Sequence, residues 1–389
     1  MHDQLARGLS RRSFVGLSAA ALASAGLGLA GLNARDALAA SAKKDASASA
    51  SAKVASANAA SSAKDGATRT ITDCAGRTVT VPAKIERVAE IHPIAAMITL
   101  RLSGVDRLVC VDKVFAQVYA SGKGTVYYDQ DTLAKLQKLP VVSPFFASPD
   151  KETLVSLKPD VIFTLTADQN ADQLQKDVNI PVVCLAKSPM DVVPESYKVC
   201  GQTLGNEDLA NQMADWWTTT SKRIEDDGAA FPEDQRPTVM YCGKGGEALG
   251  VPGKDTVFGT VIRTAGCRSV SDELSDTGNE TISVSMEQVI EWDPDIIVAA
   301  TADVRDQIKG GADWAALSAV KNGTVYASRE YAGFDGLTSV LGAEWLNMVA
   351  LHDGDQDYED QLDKDMKDYF ELFNGLALSD DDVKADAKN

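Results

Sequence analysis

A chain of 389 residues with 44% hydrophobic side chains is longer than one core ordinarily supports, so two globular units are expected. Its formal net charge of -18 excludes a protein built to grip a nucleic-acid backbone, a mode that needs clustered Lys and Arg. Acidity of this kind serves solubility or steers the chain towards a basic partner.

Residues 1–39 read as an address label. Arg11 and Arg12 in "SRRSF" precede an uncharged Gly/Ala/Leu run and a small-residue cleavage site at Ala37–Ala39. The arginine pair resembles a twin-arginine export signal, which implies folding in the cytoplasm followed by export to the periplasm or cell surface. An ordinary secretory signal or an uncleaved anchor is the alternative. No Cys precedes Cys74, so no lipoprotein anchor is expected at the end of the signal. Residues 40–67, rich in Ala and Ser, have little to bury and read as a disordered tether.

The folded part opens with "RTITDCAGRTVTVP", two alternating runs about a turn, hence a β-hairpin. "RVAEI" follows as a buried strand, "HPIAAMITLRLSG" as a helix closed by Gly104, and "DRLVCVD" as the next strand, a βαβ rhythm that predicts a parallel sheet. "LPVV", a helix from Asp150 to Leu157, "DVIFTL", the helix "ADQLQKDV" and "IPVVCL" complete a first α/β lobe over residues 68–187. Residues 188–235 turn helical, including "EDLANQMADWWTTTSKRIEDD", and read as a connector. Alternation restarts after Pro237 with "TVMYCG" and runs to "GTVYAS", giving a second α/β lobe over residues 236–389 that closes with two amphipathic helices, "LTSVLGAEWLNMVAL" and "DYEDQLDKDMKDYFELFNG".

One passage occurs twice. "ETLVSLKPDVIFTLTAD" from Glu152 and "EQVIEWDPDIIVAATAD" from Glu287 align without a gap, sharing the leading Glu, a Pro-Asp pair and a closing Thr-Ala-Asp. Each copy reads as a capped helix with its Glu in the first turn, a Pro-Asp turn and a buried strand. Pro149 and Ser285 suit helix starts, and Ser285 with Gln288 fits a capping box.

The ordered blocks "ITDCAGRTVTVP", "ERVAEIHPIAAMI", "DRLVCV", "ETLVSLKPDVI", "EQVIEWDPDII" and "VKNGTVYA" resemble the extracytoplasmic substrate-binding proteins of ABC importers for iron complexes (siderophore or haem) and cobalamin, from Thr68 to the C-terminus. The resemblance implies two Rossmann-like lobes with parallel sheets joined by one long helix, and a ligand in the cleft between them, beyond the carboxyl ends of the strands. It implies a monomer that carries no intrinsic cofactor and delivers an iron chelate, haem or corrinoid to a permease dimer and its ATPase. It also places Glu152 and Glu287 as the acidic residues that each lobe presents to a permease subunit. Both also suit the dipole of a helix start.

Strand-end loops should line the cleft. His92, between a strand and a helix, is a candidate ligand to a metal centre or corrinoid, or else a hydrogen-bonded structural residue. Phe145, Phe146, Tyr331 and Phe334 offer flat walls, against ordinary core packing. Lys244, Arg305 and Arg329 offer cations for an anionic ligand, against solvated surface charge, and the residue that closes each copy, Asp168 or Asp303, is expected to look towards the ligand. The Gly-rich "GKGGEALGVPGKD" lacks phosphate-loop spacing, since Lys254 is followed by Asp255.

Other classes fit less well. Bare zinc or manganese transport wants several imidazole or carboxylate ligands, and only His92 and His352 follow the signal. A small oxyanion such as molybdate, held by backbone amides at helix starts, stays open, as does a sensor or scavenger without a permease. An enzyme is not expected: GxSxG and HExxH are absent, and "SAVK" from Ser318 matches an acylating motif as a chance tetrapeptide. Six cysteines without CxxC spacing give no zinc motif, and their pairing stays open.

Overall fold

The structure, a computed structural model, describes residues 67–121, 127–145, 147–166, 170–186, 190–275, 278 and 281–386. The expected signal, and the expected tether up to residue 66, lie outside the described residues. Among the described residues no helix is long and apolar enough to cross a membrane.

Strands Thr68–Thr72 (β1) and Thr78–Pro82 (β2) pair antiparallel, as the alternating runs require, with Ile71, Val79 and Val81 on the buried face. Five strands then build the first sheet: Val88–Glu90 (β3), Leu108–Asp112 (β4), Val141–Val142 (β5), Val161–Leu165 (β6) and Val182–Leu185 (β7). All pairings are parallel and the order is β5-β4-β3-β6-β7. β3, β4, β6 and β7 are buried along their whole length, which is why they read as continuous apolar runs. Asp73 holds the hairpin to this sheet, its carboxylate accepting from the Cys184 amide at 3.0 Å.

The second lobe repeats the plan with one strand fewer. Thr238–Cys242 (β8), Arg268–Ser269 (β10), Ile296–Ala299 (β12) and Val325–Ala327 (β13) form a parallel sheet ordered β10-β8-β12-β13, while Gly250–Val251 (β9) and Ile282–Ser283 (β11) pair antiparallel beside it. In each lobe the strand order reverses next to the lobe's first strand, between β3 and β6 and between β8 and β12. Ligands of open α/β sheets sit beyond such switch points.

The doubled passage forms the helix and strand on the far side of each switch point. Its helices are Lys151–Leu157 and Met286–Trp292, and both end on a left-handed residue, Lys158 (φ 48°) and Asp293 (φ 38°). The Pro-Asp carboxylates do matching work. Asp160 accepts from the amides of Glu86 and Arg87, at 2.7 and 2.8 Å, just before β3, and Asp295 accepts from the Thr238 amide and hydroxyl, both at 2.8 Å, at the start of β8. Each aspartate thereby ties the first strand of its lobe to the repeated strand. The first helix begins one residue later than Pro149 suggests, because Asp150 is the cap, accepting from the Thr153 amide at 3.0 Å. Ser285 caps the second, accepting from the Gln288 amide at 3.2 Å.

The connector holds two helices, the second of them the long bridge. Val193–Leu204 packs within the first lobe, Gly205 turns the chain in the left-handed region (φ 72°), and Glu207–Ala229 runs on to the second. At 23 residues the latter spans about 35 Å. The hairpin closes tightly: a Cβ on Gly201 would stand 2.3 Å from that of Ala210. At the other end Gly228 meets the backbone of Gly266, where a Cβ would stand 2.5 Å from the Gly266 Cα.

The helix Ser339–Leu351 is buried nearly all round, so the expected amphipathic helix is a core helix instead. It lies among the bridging helix, Val257–Thr264 and Gln356–Tyr369. The last of these continues into 370–374, where Phe373 meets Tyr197 and Trp217 edge-on and Phe370 stacks on Tyr127, so the C-terminal segment packs back on the connector and first lobe.

Gly228→Ala places a methyl group against the Gly266 backbone and is expected to cost about 1–3 kcal/mol of stability, measured by urea unfolding.

Candidate functional site

At the carboxyl ends of the two sheets the loop after β13, with the turn after β8 paired to it, meets the segments after β3 and β4. His92 follows β3 and is 3% exposed. Its Nδ1 accepts the Ile94 amide at 3.1 Å, capping the helix Pro93–Ser103, and its ring lies 4.6 Å from that of half-buried Phe145. The nitrogen that caps the helix is thus not offered to a metal in this arrangement. Phe146 and Asp168 lie outside the described residues.

Asp112, at the end of β4, is a buried carboxyl that the sequence did not single out. Its Oδ1 accepts from the amides of Val114 and Phe115 at 2.6 and 3.1 Å, while Oδ2 is buried with no hydrogen-bond partner. Burial pushes this carboxyl up to about 6, against the opposing pull of the amides around it, those of Phe115 and Val114 first and that of Phe145 after them. An aspartate ending a buried strand looks in sequence like any helix cap, so only its burial marks it.

From the second lobe, Lys244 stands in the turn after β8, where Gly243, Gly245 and Gly246 all have positive φ. Its ammonium group pairs with Asp335 at 3.1 Å and lies 4.7 Å over the Phe258 ring. Asp335 belongs to the loop after β13, and this loop reaches the first lobe. A Cβ on Gly336 would stand 3.9 Å from Ile94 Cδ1, in the first turn of the helix that His92 caps, and burial together with the Asp335 charge raises the Tyr119 hydroxyl above its ordinary range. Lys244, Asp335, Ile94, His92 and Phe145 therefore mark one meeting place between the lobes.

The remaining predicted residues divide differently. Arg305 is in the helix Ala302–Gly310 and bonds the neighbouring Asp306 at 2.8 Å. Arg329 is 5% exposed and pairs with buried Asp386 at 2.9 Å, while the same carboxylate takes the amides of Glu330 and Tyr331. Its charge is thus committed to holding the C-terminal helix Asp380–Asp386 on the loop after β13. Tyr331 meets Phe370 edge-on within the core, and Phe334, wholly buried, stacks on Tyr241, which stacks in turn on Phe258. Both rings sit in the aromatic core in this structure, because the loop after β13 folds inward instead of lying along a wall.

Glu152 and Glu287 are exposed in the first turns of the matching helices. The Glu287 carboxyl is held below its ordinary range by its own backbone amide and the Ser285 hydroxyl. All six cysteines are free thiols, and burial raises those of Cys110, Cys184, Cys242 and Cys267 to about 12. Among the described residues no three His, Cys, Asp or Glu side chains cluster as a metal centre.

Two α/β lobes with parallel sheets, joined across a helical bridge, are also the plan that comparison with known proteins returns. The periplasmic binding protein family profile matches residues 112–332, more than half of the chain, which belongs to that family. The chain is 24% identical over 344 residues to the molybdate-binding protein MolA of Haemophilus influenzae, covering 82% of this chain and 94% of that one. The solved structure of MolA bound to molybdate superposes with a TM-score of 0.66 at 25% identity, over 80% of this chain and 99% of MolA. A periplasmic solute binding protein from Veillonella parvula superposes with a TM-score of 0.67 at 21% identity, over 82% and 97%. The cobalamin-binding protein of Halobacterium salinarum is 24% identical over 67% of this chain and 66% of its own. The family resemblance carried by the ordered blocks therefore holds.

Asp112 gives the protein a pH signature. Because the folded state raises this carboxyl from 3.8 to about 6, the native protein holds the proton more tightly than the unfolded chain, and stability falls as pH rises between those values. Asp112→Asn keeps the cap and removes the titration. Wild-type stability relative to this variant is expected to drop by roughly 2–3 kcal/mol between pH 3.5 and 7, followed by urea unfolding.

Proposed function

We propose that this chain is the extracytoplasmic solute-binding component of an ABC importer, exported through its twin-arginine-like signal and working as a monomer, and that its ligand is a small oxyanion of the molybdate class. The observation that carries the choice of ligand is the fate of the aromatic residues. With Tyr331 and Phe334 packed in the core, the second lobe offers no broad flat wall among its described residues, while Lys244 stands partly buried among the glycines after β8. Backbone amides in such turns and at helix starts, beside a cation, suit a compact anion. The match to MolA over nearly its whole length supports the same reading.

A second reading, an iron chelate, haem or corrinoid, is favoured by the pairing of Phe145 with His92 at the first lobe's edge and by the cobalamin-binding relative. The two readings separate in one experiment on the purified mature protein. Sodium molybdate at a hundredfold excess over its Kd is expected to add about 2.7 kcal/mol of stability, seen as a raised melting temperature, while ferric siderophore, haem and cyanocobalamin leave it unchanged. Lys244→Ala should lose most of the molybdate effect. A rise with haem or cobalamin alone, or a haem or corrinoid visible spectrum in the purified protein, would favour the second reading.

Delivery to a permease dimer with its ATPase rests on Glu152 and Glu287, whose equivalent positions in two equivalent lobes suit a partner that presents the same surface twice. Glu152→Ala with Glu287→Ala is expected to abolish ligand uptake by cells while ligand binding in solution is unchanged. Undiminished uptake by the double variant would refute docking through these residues.

A further inference from the structure

Each copy of the doubled passage leaves an aliphatic side chain in water. Val155 is 46% exposed and Ile290 50%, and together with Val141 they are the exposed large hydrophobic residues among the described ones. They hold the same place in the two copies, three residues beyond Glu152 and Glu287. On a helix that spacing puts the acid and the aliphatic group side by side on one face. The residues just before them, Leu154 and Val289, are wholly buried, so the outward direction of Val155 and Ile290 follows from packing that both lobes share. A single exposed aliphatic residue is ordinary on any surface. The same exposure, at the same position, beside the same acid, in both lobes is a repeated surface feature.

We propose that Glu152 with Val155, and Glu287 with Ile290, are two equivalent acid-and-aliphatic contacts that seat the protein on a two-fold dimeric membrane permease, one lobe on each subunit. Each subunit would present a basic side chain beside an apolar recess. This rests on the importer reading above. The occupant follows from the duplication, because two like patches on one chain match a partner whose surface occurs twice, and from charge, because the carboxylates select a basic surface. A second copy of this chain, with net charge -18, would set acid against acid. The aliphatic groups add contact energy that salt does not screen, whereas the carboxylates contribute steering that it does.

The test uses the full-length protein and the cells that make it. Replacing Val155 or Ile290 with the photo-crosslinker p-benzoylphenylalanine is expected to give, at both sites, adducts that mass spectrometry identifies as a multi-spanning ABC permease subunit. Val155→Ser with Ile290→Ser should weaken binding of the purified protein to right-side-out membrane vesicles from those cells by about tenfold or more, with the salt dependence retained and the melting temperature unchanged. Glu152→Gln with Glu287→Gln should weaken binding and flatten the salt dependence. Full-strength binding by the Ser variant beside weakened binding by the Gln variant overturns the aliphatic contacts and leaves docking intact. Adducts with a second copy of this chain also overturn the proposal. No vesicle binding by the unaltered protein overturns the importer reading itself.

Discussion

Trp217 lies wholly buried at the middle of the Glu207–Ala229 helix, with Phe373 edge-on to its ring, and the relation of the two lobes follows from how that helix is gripped. Near one end the glycine contact of Gly201 with Ala210 closes it against the first lobe. At the other, Gly228 touches the Gly266 backbone in the second. Where helix and backbone approach this closely no side chain remains to slide or repack, so rocking of the lobes about the helix is confined to small angles. The C-terminal segment adds a clasp, since Phe370 and Phe373 reach back to rings of the first lobe and connector.

Charge strengthens the same grip. Arg223 of the bridging helix bonds Glu344 and Asp365 of two second-lobe helices at 2.6 and 2.5 Å, and Asp227 takes Asn347, His352 and Tyr358. Two carboxylates share one guanidinium here, and burial together with Asp365 pushes the Glu344 carboxyl up to about 8. Such a cluster contributes little net energy, because desolvation offsets attraction, but it penalises any other seating of the helix that would leave a charge buried and unpaired. Arg329 and Asp386 apply the same logic to the loop after β13, which sets where Asp335 and Gly336 meet the first lobe.

With the lobes held, the doubled passage explains the site. In each lobe its Pro-Asp carboxylate pins the start of the lobe's first strand, which aligns the two strands flanking the switch point and so fixes where their carboxyl-end loops emerge. The repeated strand of each copy thereby runs to the carboxyl edge of its sheet, while its opening helix turns an acid and an aliphatic residue outward.

Much of this was legible in residue order. Continuous apolar runs announced buried parallel strands, Pro, Ser and Gly marked helix ends to within a residue, and the repeated passage announced two like lobes with Glu152 and Glu287 in matching turns. These are local matters of backbone propensity and periodicity, which a sequence carries within a dozen residues. What the loops do depended on contacts between residues far apart in the chain. Asp386 claimed Arg329 from 57 positions away, and Tyr241 and Phe258 drew Phe334 into a stack. Ser339–Leu351 became a core helix only because three other helices cover it, and Asp112 became an unusual carboxyl only because its surroundings exclude water. The sequence by itself determined the elements, their order and their duplication, since these follow from local rules. Only the tertiary structure decided which polar and aromatic side chains face the space between the lobes, because burial and charge pairing are properties of the assembled packing and have no local signal.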